Sequence, residues 1–179
     1  MKKTETRRRV ILEKIADHLL EHGIQGASLR PLAAAVGTSD RMLLHYFVNK
    51  EELMTAALNL IAARMITLLE SARPAQMPFH ALLPHLAGML NDPTIQPYLR
   101  LWLELAALSA REEAYQRIAR QIGDRFYEWL AEALQVETEE ERAPMTALAY
   151  AIIEGFVFLD AIGGRSIITS ALDGLQPGQ

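Results

Sequence analysis

The stretch that decides the reading is Ser28 to Lys50, SLRPLAAAVGTSDRMLLHYFVNK. Ser28 can cap a short helix, Leu29 to Val36, with Pro31 in the first turn, where its missing N–H does no harm. Gly37 breaks that helix, and Ser39 can cap a third one, Asp40 to Phe47. Leu32, Val36 and Leu43 are spaced to share a small core, and Ala33 is small where two helices must cross closely. Two short helices joined by a glycine-containing turn form a helix-turn-helix. In that motif the second helix enters the major groove of DNA with its N-terminal residues at base edges. A helical hairpin that packs against protein alone is the alternative for this block taken in isolation.

The pattern around the block is helical almost throughout, and period-two alternation is absent. Upstream, Thr6 is the expected cap of a first helix with the apolar set Ile11, Leu12, Ile15, Ala16, Leu19 and Leu20, ended by Gly23 in a left-handed turn. Downstream, Asn49 precedes a long fourth helix, Lys50 to Ala72. A Pro-marked break, Arg73 to Pro78, leads to a fifth helix reaching Leu90 and kinked or split at Pro84. Further helices are expected near Ile95 to Ala110, Glu112 to Leu134, from the acidic run Glu139 to Glu141 to Gly163-Gly164, and Arg165 to Leu172, with a frayed tail from Asp173 to Gln179. The expected fold is all-α with about nine helices: an N-terminal three-helix helix-turn-helix unit, residues 1–50, and a larger helical domain for ligand binding and dimerisation, residues 51–179.

Charge divides the 179-residue chain unevenly. Residues 1–50 hold nine Lys/Arg against five Asp/Glu, a net of +4, and residues 51–179 hold nine against seventeen, a net of −8; the formal −4 is the balance. The basic N-terminus, including Arg7-Arg8-Arg9, suits phosphates, and the acidic remainder does not. The absence of cysteine excludes disulfides, thiol catalysis and cysteine-ligated metals. Met145 to Gly164, MTALAYAIIEGFVFLDAIGG, is apolar enough to suggest a membrane span, but Glu154 and Asp160 interrupt it and no Lys/Arg cluster flanks it. A helix buried between other helices is expected instead. No signal-peptide pattern opens the chain, and a cytoplasmic protein without a membrane partner is expected.

Residues 6–58 resemble the DNA-binding region of the TetR family of transcriptional regulators. The order of a first helix ending at Gly23, then SLRPLAAAVGTS, then LLHYFVNKEEL carries the match, and its most specific part is His45, Tyr46, Phe47, Lys50, Glu51 and Leu53. About a third of the chain is covered. The resemblance implies that Arg30 reaches the major groove, that Tyr46 and Lys50 hold phosphates, and that Phe47 is core. Ser39, Asp40, Arg41, Leu44 and His45 then form the exposed part of the recognition helix, with Arg41 the candidate for guanine. Asp40, Met42, Leu44 and Pro31 depart from the family pattern; Leu44 stands where an aromatic is common and offers only apolar contact, as to a thymine methyl.

The resemblance also implies a homodimer through the last two helices, a near-palindromic operator on double-stranded DNA, and repression relieved by a small hydrophobic effector through a pendulum motion of the fourth helix. Met65, Leu68, Phe79, Leu86, Met89, Trp102, Glu104, Phe126 and Phe156 are candidates for the effector pocket. Glu104 or Glu154 in that pocket would select a cationic or hydrogen-bonding ligand. No cofactor, resident metal or catalytic residue is expected. Two alternatives stand beside this reading. His18, Glu21 and His22 fit the H-x-x-E-H pattern of zinc hydrolases, and the helices would also suit a protein-interaction adaptor.

Overall fold

A computed structural model of the chain describes residues 2–25, 27–72 and 75–175. Its elements are α1 (Lys2–His22), α2 (Leu29–Val36), α3 (Asp40–Tyr46), α4 (Lys50–Ala72), β1 (Met77–Pro78), α5 (Phe79–Met89), α6 (Gln96–Ser109), α7 (Glu113–Ala133), β2 (Leu134–Gln135), α8 (Glu139–Ala161) and α9 (Arg165–Gly174). The fold is all-α, as the periodicity predicts.

Local chemistry explains most boundaries. Gly23 ends α1 at φ 83°, its N–H donating to Leu19 O at 2.8 Å, and Gly37 ends α2 at φ 72° with bonds back to Ala33 and Ala34. Ser39 caps α3, its Oγ accepting from Met42 N at 3.3 Å. Asn49 Oδ1 accepts from Glu52 N at 2.8 Å at the head of α4. Ser28 stands at the cap of α2, but its side chain makes no capping bond. Thr6 is not a cap: α1 is already helical at Lys2, because nothing in KKTETRRR breaks a helix and Glu5 lies in the first turn. Pro84 sits inside one continuous α5. The two-residue strands escape the sequence reading because two residues have no periodicity; they pair in parallel, Met77 with Leu134 and Pro78 with Gln135. Of the expected break at Arg73 to Pro78, residues 73 and 74 lie outside the described residues. So do 176–179 of the expected tail, whereas Asp173 and Gly174 belong to α9.

The chain forms two compact units, Met1–Met65 with Arg100–Ile122, and Ile66–Leu99 with Gly123–Gln179. In the first, Ile11, Ile15, Ala16 and Leu19 of α1, Leu32, Ala33 and Val36 of α2, Leu43 of α3, and Leu53, Met54, Ala57 and Leu58 of α4 are buried. Arg64 ties α4 to α1 by bonding Asp17 at 2.8 Å and Glu13. In the second, α5 packs on α8 and α9, and α9 on α8. Arg142 bonds the carbonyls of Ala131 and Leu134 at 2.8 and 3.1 Å, and Gln76 bonds that of Glu132, which fastens the chain around β1 and β2.

α4 and α8 are long and apolar enough to cross a membrane by length and composition. α8 has two distinct faces. Thr146, Ala149, Phe156 and Val157 are buried, whereas Ala147, Leu148, Ala151, Gly155 and Phe158 are exposed.

Candidate nucleic-acid interface

α2 and α3 pack on each other, and α2 packs on α1. The seven residues of α3 divide by helical period. Leu43 is fully buried, as is Phe47 just beyond the helix, so the opposite side must face outward. Asp40, Arg41, Met42, Leu44 and His45 are all exposed, with Leu44 at 45% and Met42 at 42%. Large apolar side chains left open on so short a helix are the unusual feature of this surface. Val48, in the turn after α3, is more open still, at 84%. Arg30, on the first turn of α2, is exposed, as are Ser39 and Lys50. Tyr46 is half-buried, its ring meeting that of His45 edge-on with centroids 5.2 Å apart. Lys50 opens α4, whose first-turn N–H groups and dipole favour an anion such as a backbone phosphate.

Arg8 behaves differently from its neighbours. Arg7 and Arg9 are exposed, but Arg8 turns inward. Its guanidinium lies 4.6 Å from the Phe47 ring centroid, its Nε donates to Tyr46 O at 3.2 Å, and its Nη2 donates to Glu52 Oε1 at 2.9 Å. Glu52 also accepts from Val48 N at 2.5 Å. Arg8 therefore ties α1 to the α3–α4 turn. Composition counts it as basic charge and cannot reveal this.

Glu104 of α6 is a second departure. Its Oε2 accepts from Ile24 N at 2.8 Å and its Oε1 from Gln25 N, in the segment joining α1 to α2. The carboxylate is thus engaged on backbone rather than open to a ligand. Nothing in the local sequence signals a bond across 80 positions. Arg117 of α7 meets Glu51, beside Lys50, at 2.6 Å. The Tyr115 hydroxyl is held above its usual pKa by burial first, then by the Glu112 and Glu104 carboxylates.

The other proposed lining residues fall in both units. Met65, buried, and Trp102, half-buried, belong to the first. Leu68, Phe79, Met89 and Phe126, half-buried, and Leu86 and Phe156, buried, belong to the second. Glu154 in the second unit lies beside Tyr150; burial, then the Glu154 charge and hydrogen bond, then Asp124, push the Tyr150 hydroxyl well above its usual range. Tyr127 meets Tyr150 edge-on, with centroids 6.1 Å apart.

The H-x-x-E-H residues do not assemble a ligand set. The His18 and His22 rings stack at 4.3 Å, and His22 Nδ1 donates to His18 O at 3.1 Å. Burial, then the neighbouring His22, lowers the His18 pKa. Among the described residues, no group of three or more His, Asp or Glu is placed to hold a metal ion.

Comparison with known proteins agrees with this geometry. Residues 11–57 match the family model described as bacterial regulatory proteins, tetR family. The chain is 33% identical to the HTH-type transcriptional repressor AcnR of Corynebacterium efficiens over 99 residues, which are 55% of this chain and 48% of that one; the match thus spans about half of the repressor. It is 25% identical over 169 residues to the HTH-type transcriptional regulator BetI of Cronobacter sakazakii, covering 89% of this chain and 81% of that one. Among solved structures, a TetR-family transcriptional regulator from Cytophaga hutchinsonii superposes with a TM-score of 0.71 at 19% identity, covering 98% of this chain and 94% of that one. With the helix-turn-helix and its outward-facing α3, residues 11–57 form a DNA-binding domain of the TetR type, and the chain as a whole is similar to bacterial transcriptional regulators of that family.

Proposed function

We propose that this regulator is a homodimeric repressor that binds a near-palindromic operator and releases it on binding a small hydrophobic effector. Residues 1–50 read DNA and residues 51–179 dimerise and bind the effector. The observation that carries the reading is α3: its inner side is buried to the last atom of Leu43, while Arg41, His45, Met42 and Leu44 stand open. Arg41 reads guanine, Arg30 reaches the same groove, and Tyr46 and Lys50 fix the register on phosphates. The carboxylate of Asp40 is tolerated at the head of α3 by the helix dipole.

The exposed side of α8, with Leu148 50% and Phe158 56% open, together with Ile162 at 63% and Ile167 of α9 at 56%, supports a two-fold interface between the last two helices of each subunit. Of the lining residues, Leu68, Phe79, Leu86, Met89, Phe126 and Phe156 belong to one unit and suit an apolar effector. A DNA target implies a cytoplasmic location.

Selection from a random duplex library tests the reading. The expected result is a two-fold symmetric site whose affinity falls steeply with salt. Arg41→Ala should weaken it by about 1–3 kcal/mol and relax the base preference at one position per half-site. No enriched site would remove the DNA-reading function.

The open apolar pair Met42 and Leu44 leads to a finer expectation. The thymine methyl is the apolar group that the major groove presents. Replacing the thymines of the selected half-site by deoxyuridine should weaken wild-type binding several-fold and leave Leu44→Ala indifferent to the change. An equal loss for both proteins would remove Leu44 from the readout.

A further inference from the structure

We propose that Glu104 is a positioning residue: its carboxylate latches α6 onto the α1–α2 segment and so sets the pose of the DNA-reading helices. The inference rests on the proposed function and adds a second connection beside α4, the helix that directly follows the helix-turn-helix. Both carboxylate oxygens are used, Oε2 by Ile24 N at 2.8 Å and Oε1 by Gln25 N. These N–H groups belong to the turn between α1 and α2, where no helical carbonyl is available to them. A carboxylate with two acceptor oxygens is the side chain that satisfies adjacent backbone donors together.

The fit is close. A Cβ at Gly23 would stand 2.6 Å from Glu104 Oε2, so the absence of a side chain there is what lets the carboxylate reach the turn. α6 also carries Trp102, a half-buried aromatic two positions earlier in the same unit. A ligand that shifts or rotates α6 therefore acts on the same helix that grips the reading head. The turn in its grip leads directly into α2, which packs on the recognition helix α3. Two charged links at neighbouring places, Arg64 to Asp17 and Glu13, and Arg117 to Glu51, join α4 to α1 and α7 to α4, and neither touches this turn.

The test uses the full-length protein and the duplex selected by the wild type. Glu104→Gln keeps the shape and one acceptor oxygen; Glu104→Ala removes both. Amide exchange at Ile24 and Gln25 should quicken by roughly tenfold for each bond lost. Affinity for the complete two-fold duplex should fall by roughly tenfold in the Gln variant and further in the Ala variant, because two heads must be posed together. Affinity for a duplex carrying one half-site should stay at the wild-type value, since each head remains folded. A residue that merely stabilised the head would weaken both duplexes alike, and that result would overturn the latch. Unchanged exchange at Ile24 and Gln25, or unchanged affinity for the complete site, would overturn it as well. If the wild type selects no duplex, the DNA-reading function fails first and the latch fails with it.

Discussion

Gly23→Ala is expected to destabilise the protein by about 3 kcal/mol, and Gly37→Ala by only about 1–2 kcal/mol, although both glycines end a helix in the left-handed region. The backbone part is common to the two: φ is 83° at Gly23 and 72° at Gly37, and an L side chain in that region costs about 1–2 kcal/mol. The surroundings differ. A Cβ at Gly37 meets nothing within 4 Å, whereas at Gly23 it meets Glu104 Oε2 at 2.6 Å. That oxygen is the end of a flexible side chain and can move away. Moving it, however, leaves Ile24 N and Gln25 N without their acceptor. Loss of a hydrogen bond to a charged group adds about 1.5–3 kcal/mol, at the lower end here because the site is partly open to water. Urea unfolding of the two variants measures the difference. In a Glu104→Ala background the extra cost at Gly23 should vanish, leaving the backbone part alone. Equal midpoints for Gly23→Ala and Gly37→Ala in the otherwise wild-type chain would show that the carboxylate contact carries no weight.

The pair illustrates what a sequence discloses. Gly23, Gly37, Ser39 and Asn49 announce helix ends because the chemistry of a cap is local: a left-handed backbone or a side-chain acceptor within three residues. For the same reason α2 and α4 match the expected Leu29–Val36 and Lys50–Ala72. The buried and open sides of α3 are equally legible, since Leu43 and Phe47 fix the inner side and period does the rest. Contacts between distant segments leave no such trace. Glu104 reads as one acidic residue on an amphipathic helix, suited to a pocket, and only the fold shows both its oxygens on a turn 80 positions away. Arg8 stands between two exposed arginines and looks like them, yet it packs on Phe47 and Glu52. Thr6 fails as a cap because capping chemistry marks where a helix can start, and the residues before it can also be helical. The apolar residues of α4 to α8 declare that they are inside, not which of them would face a ligand, because leucine in a core and leucine in a pocket obey the same periodicity.

Phe47→Ala is expected to have the largest effect of any single substitution in the reading head, about 3–5 kcal/mol of stability. The side chain is 1% exposed and sits at the end of α3, where the backbone turns extended at φ −133° before α4 begins. Truncation of so fully buried a ring leaves a cavity in the core of the reading head, where Leu32, Leu43 and Leu53 are also fully buried. It also removes the ring beneath the Arg8 guanidinium, adding about 0.5–1 kcal/mol and loosening the bonds from Arg8 to Tyr46 O and Glu52. Because those bonds set the α3–α4 turn, Tyr46 and Lys50 lose their relative placement along with the core. Thermal unfolding followed by circular dichroism should show the melting temperature lowered by about 6–20 °C. Binding to the selected duplex, measured well below that melting temperature, should fall by a factor of roughly 100 or more, the scale on which several positioned phosphate contacts disappear together. Leu44→Ala is the control for both readings. That side chain is 45% exposed, so its truncation should leave the melting temperature within about 2 °C while altering duplex preference. A Phe47→Ala protein with wild-type melting and wild-type DNA affinity would show that the recognition helix is held by something other than this core, and the assignment of inner and outer sides on α3 would have to be reversed.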